Sequence, residues 1–302
     1  MDYFIMEQWS TSIQNAFDLF YLEAQSRRYT QSTLQFYQRR LKPFMQWCAE
    51  RNVCQLEQLS ATHIRLYLIG LQERNLASHS QHAAARAIKT FLNFCVSEEL
   101  ITGSPMAKVK MPKLEQRVLD AFTSSEVQAI LNACVTERDK AIVLCLLDTG
   151  ARAHEFISLK GKDIDIQNGV VFIQKGKGQK ERITYLGARA RKQLLRYYMS
   201  RGKPEDDDPV WLSLRRKNVA LGQSGLMQLV RELGDKVSVH PCTCHTFRRT
   251  FALTCLRNGM NIYVLARLMG HSDIVILKRY LAFAEGDMKD AHQKFGPADS
   301  ML

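Results

Sequence analysis

Several common kinds of chemistry are missing from this sequence. No apolar run reaches the roughly 20 residues that a membrane helix needs. The opening stretch, MDYFIMEQWSTS, has no basic segment leading into a long apolar run, so neither a membrane span nor a secretory signal is expected. The phosphate-binding frame GxxxxGK[ST] is absent. Gly176-Lys177-Gly178 is basic and glycine-rich, but it lacks the longer frame and the following helix, which argues against nucleotide hydrolysis. No pair of carboxylates stands at a spacing typical of a metal hydrolase. The run Asp206-Asp207-Asp208 lies in the polar loop KPEDDDP and reads as solvated. No internal repeat or low-complexity tract is visible.

Acidic residues are also in short supply. The 302 residues carry 42 Lys and Arg against 30 Asp and Glu, a formal charge of +12. A phosphate-rich partner is the simplest reason for such an excess, with a generally basic surface as the bland alternative. Apolar residues make up 46% and charged residues 24%, a composition that folds without covalent staples. The eight cysteines include several in apolar helical patterns, such as FLNFCV and IVLCLL. Most of them read as reduced core residues of a cytoplasmic protein. His240, Cys242, Cys244 and His245 cluster tightly. One residue between the cysteines is poor zinc spacing, and no second ligand pair follows. Neither a metal nor a cofactor is expected.

Hydrophobic periodicity predicts a mainly α chain. Helices are expected over 13–25, 30–50, 62–73 and 78–98. In the second of these, Leu34, Tyr37, Leu41, Phe44 and Trp47 share a face. These helices make an all-helical first domain, residues 1–101. Residues 102–120 carry Gly103, Pro105, Pro112 and several basic side chains without a periodic pattern, and are expected to be a linker. The second domain, 121–302, reads as mixed but mostly helical. Thr123 and Glu126 resemble a capping box before a helix over 124–134. Further helices are expected over 138–149, 153–160, 188–201, 223–233, 246–258, 261–269 and 273–281. Strands over 169–174 and 182–186 flank the turn KGKGQKE and form a small β-sheet.

Arg, Lys and His concentrate at the edges of these elements. Arg152 follows Thr149-Gly150 at a break between two helices, and His245 and Arg248 share one helical face. The planar fork of arginine suits the non-bridging oxygens of a phosphodiester. Two such forks could hold one phosphate and stabilise charge developing at a pentacoordinate phosphorus without a metal. Each residue also has a plain structural reading. Arg152 could pair with Glu155, His245 could cap or pack at a helix start, Lys177 could be an exposed turn lysine, and Tyr280 could be an ordinary amphipathic surface residue.

Taken together, the motifs resemble those of the tyrosine recombinase family, also called phage integrases, over about residues 15–295. Thr149-Gly150-Ala151-Arg152-Ala153-His154-Glu155 resembles the family's first arginine box, which implies a catalytic role for Arg152 and a helix-supporting role for Glu155. Gly176 to Arg182 looks like the hairpin that carries the catalytic lysine, at Lys177. His245-Thr246-Phe247-Arg248-Arg249-Thr250-Phe251-Ala252 resembles the second box, with His245 and Arg248 in the active positions. Leu268-Met269-Gly270-His271-Ser272 looks like the third motif, with His271 active. Tyr280 falls where the nucleophile is expected. Ala151, Phe247 and Arg249 depart from the usual residues, and none of these departures removes a catalytic group.

The resemblance implies a short, Xer-like recombinase with a helical core-type DNA-binding domain and a catalytic domain. Its partner would be double-stranded DNA with inverted-repeat core sites, bound by a tetramer that spans two sites. A directionality factor or second recombinase is a possible further partner. Integration and excision of a mobile element is the expected setting, with chromosome or plasmid dimer resolution as the alternative. A type IB topoisomerase-like enzyme and an inactive DNA-binding protein are more distant readings. The segment 287–294 resembles the terminal helix that family members dock onto a neighbouring protomer.

Overall fold

A computed structural model describes residues 12–114, 121–174, 181–215 and 218–270. The chain separates into two compact units, Met1–Arg117 and Val118–Leu302. Each has its own apolar interior.

The first unit is built from α1 (Ile13–Ser26), α2 (Gln31–Ala49), α3 (Ala61–Glu73) and α4 (Ser78–Ser97). Ser12, Thr30 and Ser60 start the first three. Each side chain accepts a backbone N–H from the first turn, which satisfies a donor the helix cannot pair internally. The buried faces follow the expected spacing: Ile13, Phe17 and Phe20 on α1, Leu34, Leu41 and Phe44 on α2, and Ala84, Ile88, Phe91 and Cys95 on α4. Phe20 makes edge contacts with Tyr37, Phe91 and Phe94, which locks three helices through one ring. A short 3-10 turn, Pro105–Lys108, continues this core by burying Met106. The Arg65 guanidinium donates to the Lys108 carbonyl at 2.6 Å. The first part of the expected linker is thus packed structure.

The second unit contains α5 (Ser124–Ala133), α6 (Glu137–Thr149), α7 (Ala153–Ile157), α8 (Ala188–Arg201), α9 (Gln223–Lys236), α10 (Cys244–Arg257) and α11 (Ile262–Met269). The expected capping box is present: Thr123 accepts from the Glu126 N–H, and Glu126 accepts from the Thr123 N–H at 2.7 Å. A three-stranded antiparallel sheet runs β1 (Ile164–Asp165), β2 (Val170–Ile173), β3 (Arg182–Tyr185). Phe172 pairs with Ile183 and Val170 with Tyr185.

The mostly apolar α6 is the hub of this unit and packs against α5, α8, α10 and β3. A stack of Phe156, Trp211 and Tyr197 joins α7 to α8, with centroid separations of 4.7 and 5.8 Å. The acidic loop makes surface ion pairs: Asp207 takes Lys160 at 3.1 Å and Lys162 at 2.7 Å.

Several boundaries differ from expectation; the helix expected over 223–233, for one, continues to Lys236. The helix expected over 153–160 ends at Ile157, because a 3-10 turn at Gly161–Asp163 leads directly into β1. The helix expected from 246 begins at Cys244, because Thr243 caps it by accepting from the Thr246 N–H at 3.1 Å. The expected helix over 273–281 and the tail segment 287–294 lie outside the described residues. Among the described residues, no helix is long and apolar enough to cross a membrane.

Candidate active site

The site is organised by the break between α6 and α7. Gly150 ends α6 in the left-handed conformation, φ +54°, where its N–H returns to the Leu146 carbonyl. A Cβ at this position would lie 2.4 Å from the Phe251 ring. Glycine is therefore required twice here, by backbone conformation and by space. The reversal places Arg152 as the N-cap residue of α7.

Arg152 is tied to Glu155 in two ways. Its backbone N–H donates to Oε2 at 2.8 Å, and its Nη1 donates to Oε1 at 3.0 Å. The structural reading of Arg152 as a partner of Glu155 is thus correct, and it is compatible with a role in binding. The side chain of Arg152 keeps 27% exposure while that of Glu155 keeps 3%, so the acid is the buried, fixed member of the pair.

Arg248 reaches the same corner from α10. Its Nη1 donates to the Gly150 carbonyl, and its Nη2 to the Met269 carbonyl at 2.7 Å. It is 3% exposed. Buried arginine is rare without full hydrogen bonding, and here it bridges the turn that carries Arg152 to the end of α11. His245 lies one helical turn before Arg248 and stays accessible at the rim. Removal of water by the surrounding protein lowers its pKa, and the positive charges of Arg249, Arg248 and Arg152 add to that effect. An imidazole held below its ordinary value is neutral near pH 7 and able to accept a proton.

Arg182, at the start of β3, received no role from the sequence. Its Nη1 and Nη2 fork onto the two Glu155 oxygens at 3.0 and 2.6 Å, and its Nε donates to the Leu268 carbonyl at 2.8 Å. Burial of Glu155 favours the neutral acid. The Arg182 hydrogen bonds, the Arg152 N–H and the Arg182 charge outweigh that, and hold the carboxyl at about 2. A basic residue closing a lysine-rich turn was the one signal available, and it does not separate a buried fork from a solvated charge.

Of the six side chains singled out in the sequence, Arg152, His245 and Arg248 come together around the Gly150 turn. Lys177, His271 and Tyr280 lie outside the described residues. Arg249 stands next to Arg248 and acts on His245 electrostatically. Phe247 is buried edge-on against Phe122. Cys242 and Cys244 are buried, and burial pushes both thiols up to about 11. Among the described residues, no group of three or more His, Cys, Asp and Glu is placed to hold a metal ion. The described part of the corner gathers two arginines beside a neutral imidazole, groups whose chemistry suits an anion.

Comparison with known proteins gives the arrangement its context. Residues 120–286 match the phage integrase family, and residues 17–102 match the N-terminal SAM-like domain of phage integrases. The chain is 30% identical over 283 residues to tyrosine recombinase XerD of Halalkalibacterium halodurans, across 90% of this chain and 93% of that one. Among solved structures, a lambda integrase dimer bound to a COC′ core site superposes with a TM-score of 0.74 at 17% identity, over 91% of this chain and 79% of that one. The Tn1549 transposon integrase in complex with a circular intermediate DNA superposes at 0.72 and 16% identity, over 88% and 94%. At these identities the two structures bear on fold alone.

Proposed function

The chain belongs to the phage integrase family of tyrosine recombinases, DNA strand-transferring enzymes, and from that premise we propose a metal-independent reaction at one backbone phosphate. Tyr280 attacks the scissile phosphorus. A 3′-phosphotyrosyl ester forms as the bond to the 5′ oxygen breaks. Arg152 and Arg248 hold the non-bridging oxygens, and His271 donates a hydrogen bond to the same phosphate. His245 takes the phenolic proton, and Lys177 gives a proton to the departing 5′ oxygen. The phosphoester is conserved, so a free 5′ hydroxyl of another strand reverses the step without ATP.

The observation that carries this reading is the link from the Arg248 guanidinium to the Gly150 carbonyl, two residues before Arg152. It draws together two forks from helices almost a hundred residues apart. A phenol titrates near 10; a neutral His245 supplies a proton acceptor, and the arginine charges around it supply a field that favours phenolate.

Strand exchange needs four cleavages across two duplexes, which a tetramer on two inverted-repeat core sites provides. Two settings use this chemistry. Integration and excision of a mobile element is the reading suggested by the sequence. Chromosome or plasmid dimer resolution is the alternative, in keeping with the likeness to a relative named tyrosine recombinase XerD. Recombination assays on plasmids that carry the DNA flanking the gene separate the two, through the sites that react and any second recombinase required.

The test of the chemistry is Tyr280→Phe on a nicked suicide duplex. The variant binds the core site with the steep salt dependence of a phosphate-reading protein and forms no covalent adduct. An adduct formed by the variant would remove Tyr280 as the nucleophile.

A further inference from the structure

The Arg182 side chain is 7% exposed and donates three hydrogen bonds. Two go to Glu155, so each oxygen of that carboxylate receives one bond from Arg182 and one from Arg152. The third goes to the Leu268 carbonyl. The next carbonyl along, Met269, receives Arg248. Two arginines therefore occupy adjacent carbonyls at the C-terminal end of α11, where the helix leaves acceptors unpaired and the dipole favours cations. Gly270 follows at φ +63°, and a Cβ there would lie 2.9 Å from the Arg182 side chain. Space and backbone conformation both reserve this contact.

We infer that Arg182 is a positioning residue for cleavage: it fixes the Glu155 carboxylate that aims Arg152, and it aligns that pair with Arg248 through neighbouring carbonyls of α11. The inference rests on the proposed reading, in which Arg152 and Arg248 hold the phosphate. A second effect follows from charge. Two arginines share one carboxylate, so the trio keeps a net positive charge beside the phosphate. Without Arg182, Glu155 and Arg152 become a one-to-one neutral pair. Arg152 then offers less charge to the developing phosphorane, and its fork is held from one side only. Arg182 itself touches no substrate in this scheme.

The experiment compares the full chain with Arg182→Lys, Arg182→Met and the reference variant Arg152→Ala. Single-turnover adduct formation is followed on suicide duplexes with either a phosphate or a neutral methylphosphonate at the scissile position. The methylphosphonate demands less charge neutralisation, so it discriminates electrostatic positioning from general loss of structure. Losing a buried charged fork corresponds to a slowing of about 30-fold or more on phosphate for Arg182→Met, with core-site affinity within about threefold of the parent. On methylphosphonate the loss falls to about fivefold or less. Arg182→Lys retains charge without the fork and lies between the parent and Arg182→Met on phosphate.

Equal slowing of Arg182→Met on both substrates, or no slowing, overturns the inference. If that variant does not fold, Arg182→Lys decides by the same comparison. Equal losses by Arg152→Ala on both substrates would instead remove Arg152 from the phosphate, a failure of the underlying reading and not of Arg182.

Discussion

Replacing Glu155 by Gln turns the shared carboxylate into a neutral group of nearly the same shape, and its effect should depend on pH in a defined way. The folded protein holds this carboxyl at about 2, against an ordinary value of 4.5. Burial alone would push it upward, but the hydrogen bonds of Arg182 and Arg152 and the charge of Arg182 prevail. A gap of roughly 2.5 units corresponds to about 3 kcal/mol of stability at neutral pH. Because the folded value is the depressed one, the unfolded chain takes up the proton first as pH falls. The contribution is therefore full well above the unfolded value and is lost as pH drops toward the folded one. Between about pH 5 and pH 3 it should decline by about 2 kcal/mol.

The assay is urea unfolding followed by Trp211 fluorescence in a chain whose Trp9 and Trp47 are replaced by Phe. Trp211 is fully buried in the second unit and stacks on Phe156, the neighbour of Glu155. The parent should exceed Glu155→Gln by about 3 kcal/mol at neutral pH, and the difference should narrow by about 2 kcal/mol near pH 3. A difference that stays constant across that range would refute the reasoning, since it would mean that the acid acts through shape and not through charge.

Three other outcomes can be measured directly. Gly150→Ala should cost about 2–4 kcal/mol in the same assay, from left-handed strain and displacement of the Phe251 ring; a loss comparable to an ordinary surface change would show that neither constraint operates. NMR titration should place His245 below its ordinary 6.5, and Arg249→Ala should move it upward, because the Arg249 charge is the largest electrostatic contribution to its lowering. Native labelling with a thiol reagent should modify Cys54 first, since Cys48, Cys95, Cys134 and Cys145 are buried and their thiols are pushed up. Mass spectrometry after tryptic digestion reads the order.

Features set by neighbours in sequence were the legible ones. The stripe Leu34, Leu41, Phe44 fixed α2, and the Thr123–Glu126 box fixed the start of α5, because both depend on side chains within a turn or two of each other. The turn at Gly150 was visible for the same reason. The start of α10 was misplaced because Thr243 stands among Pro, Cys and His, which hide a capping threonine. The two-residue strand β1 is too short to carry a period. Arg182 was silent for a different reason: its partners lie 27 and 86 positions away. Nothing local distinguishes an arginine that forks onto a distant acid from one that faces water.

The two apolar interiors have no side chain in common, and this separation has a practical consequence. A core substitution in one unit, such as Phe91→Ala in the first, removes packing from that interior alone.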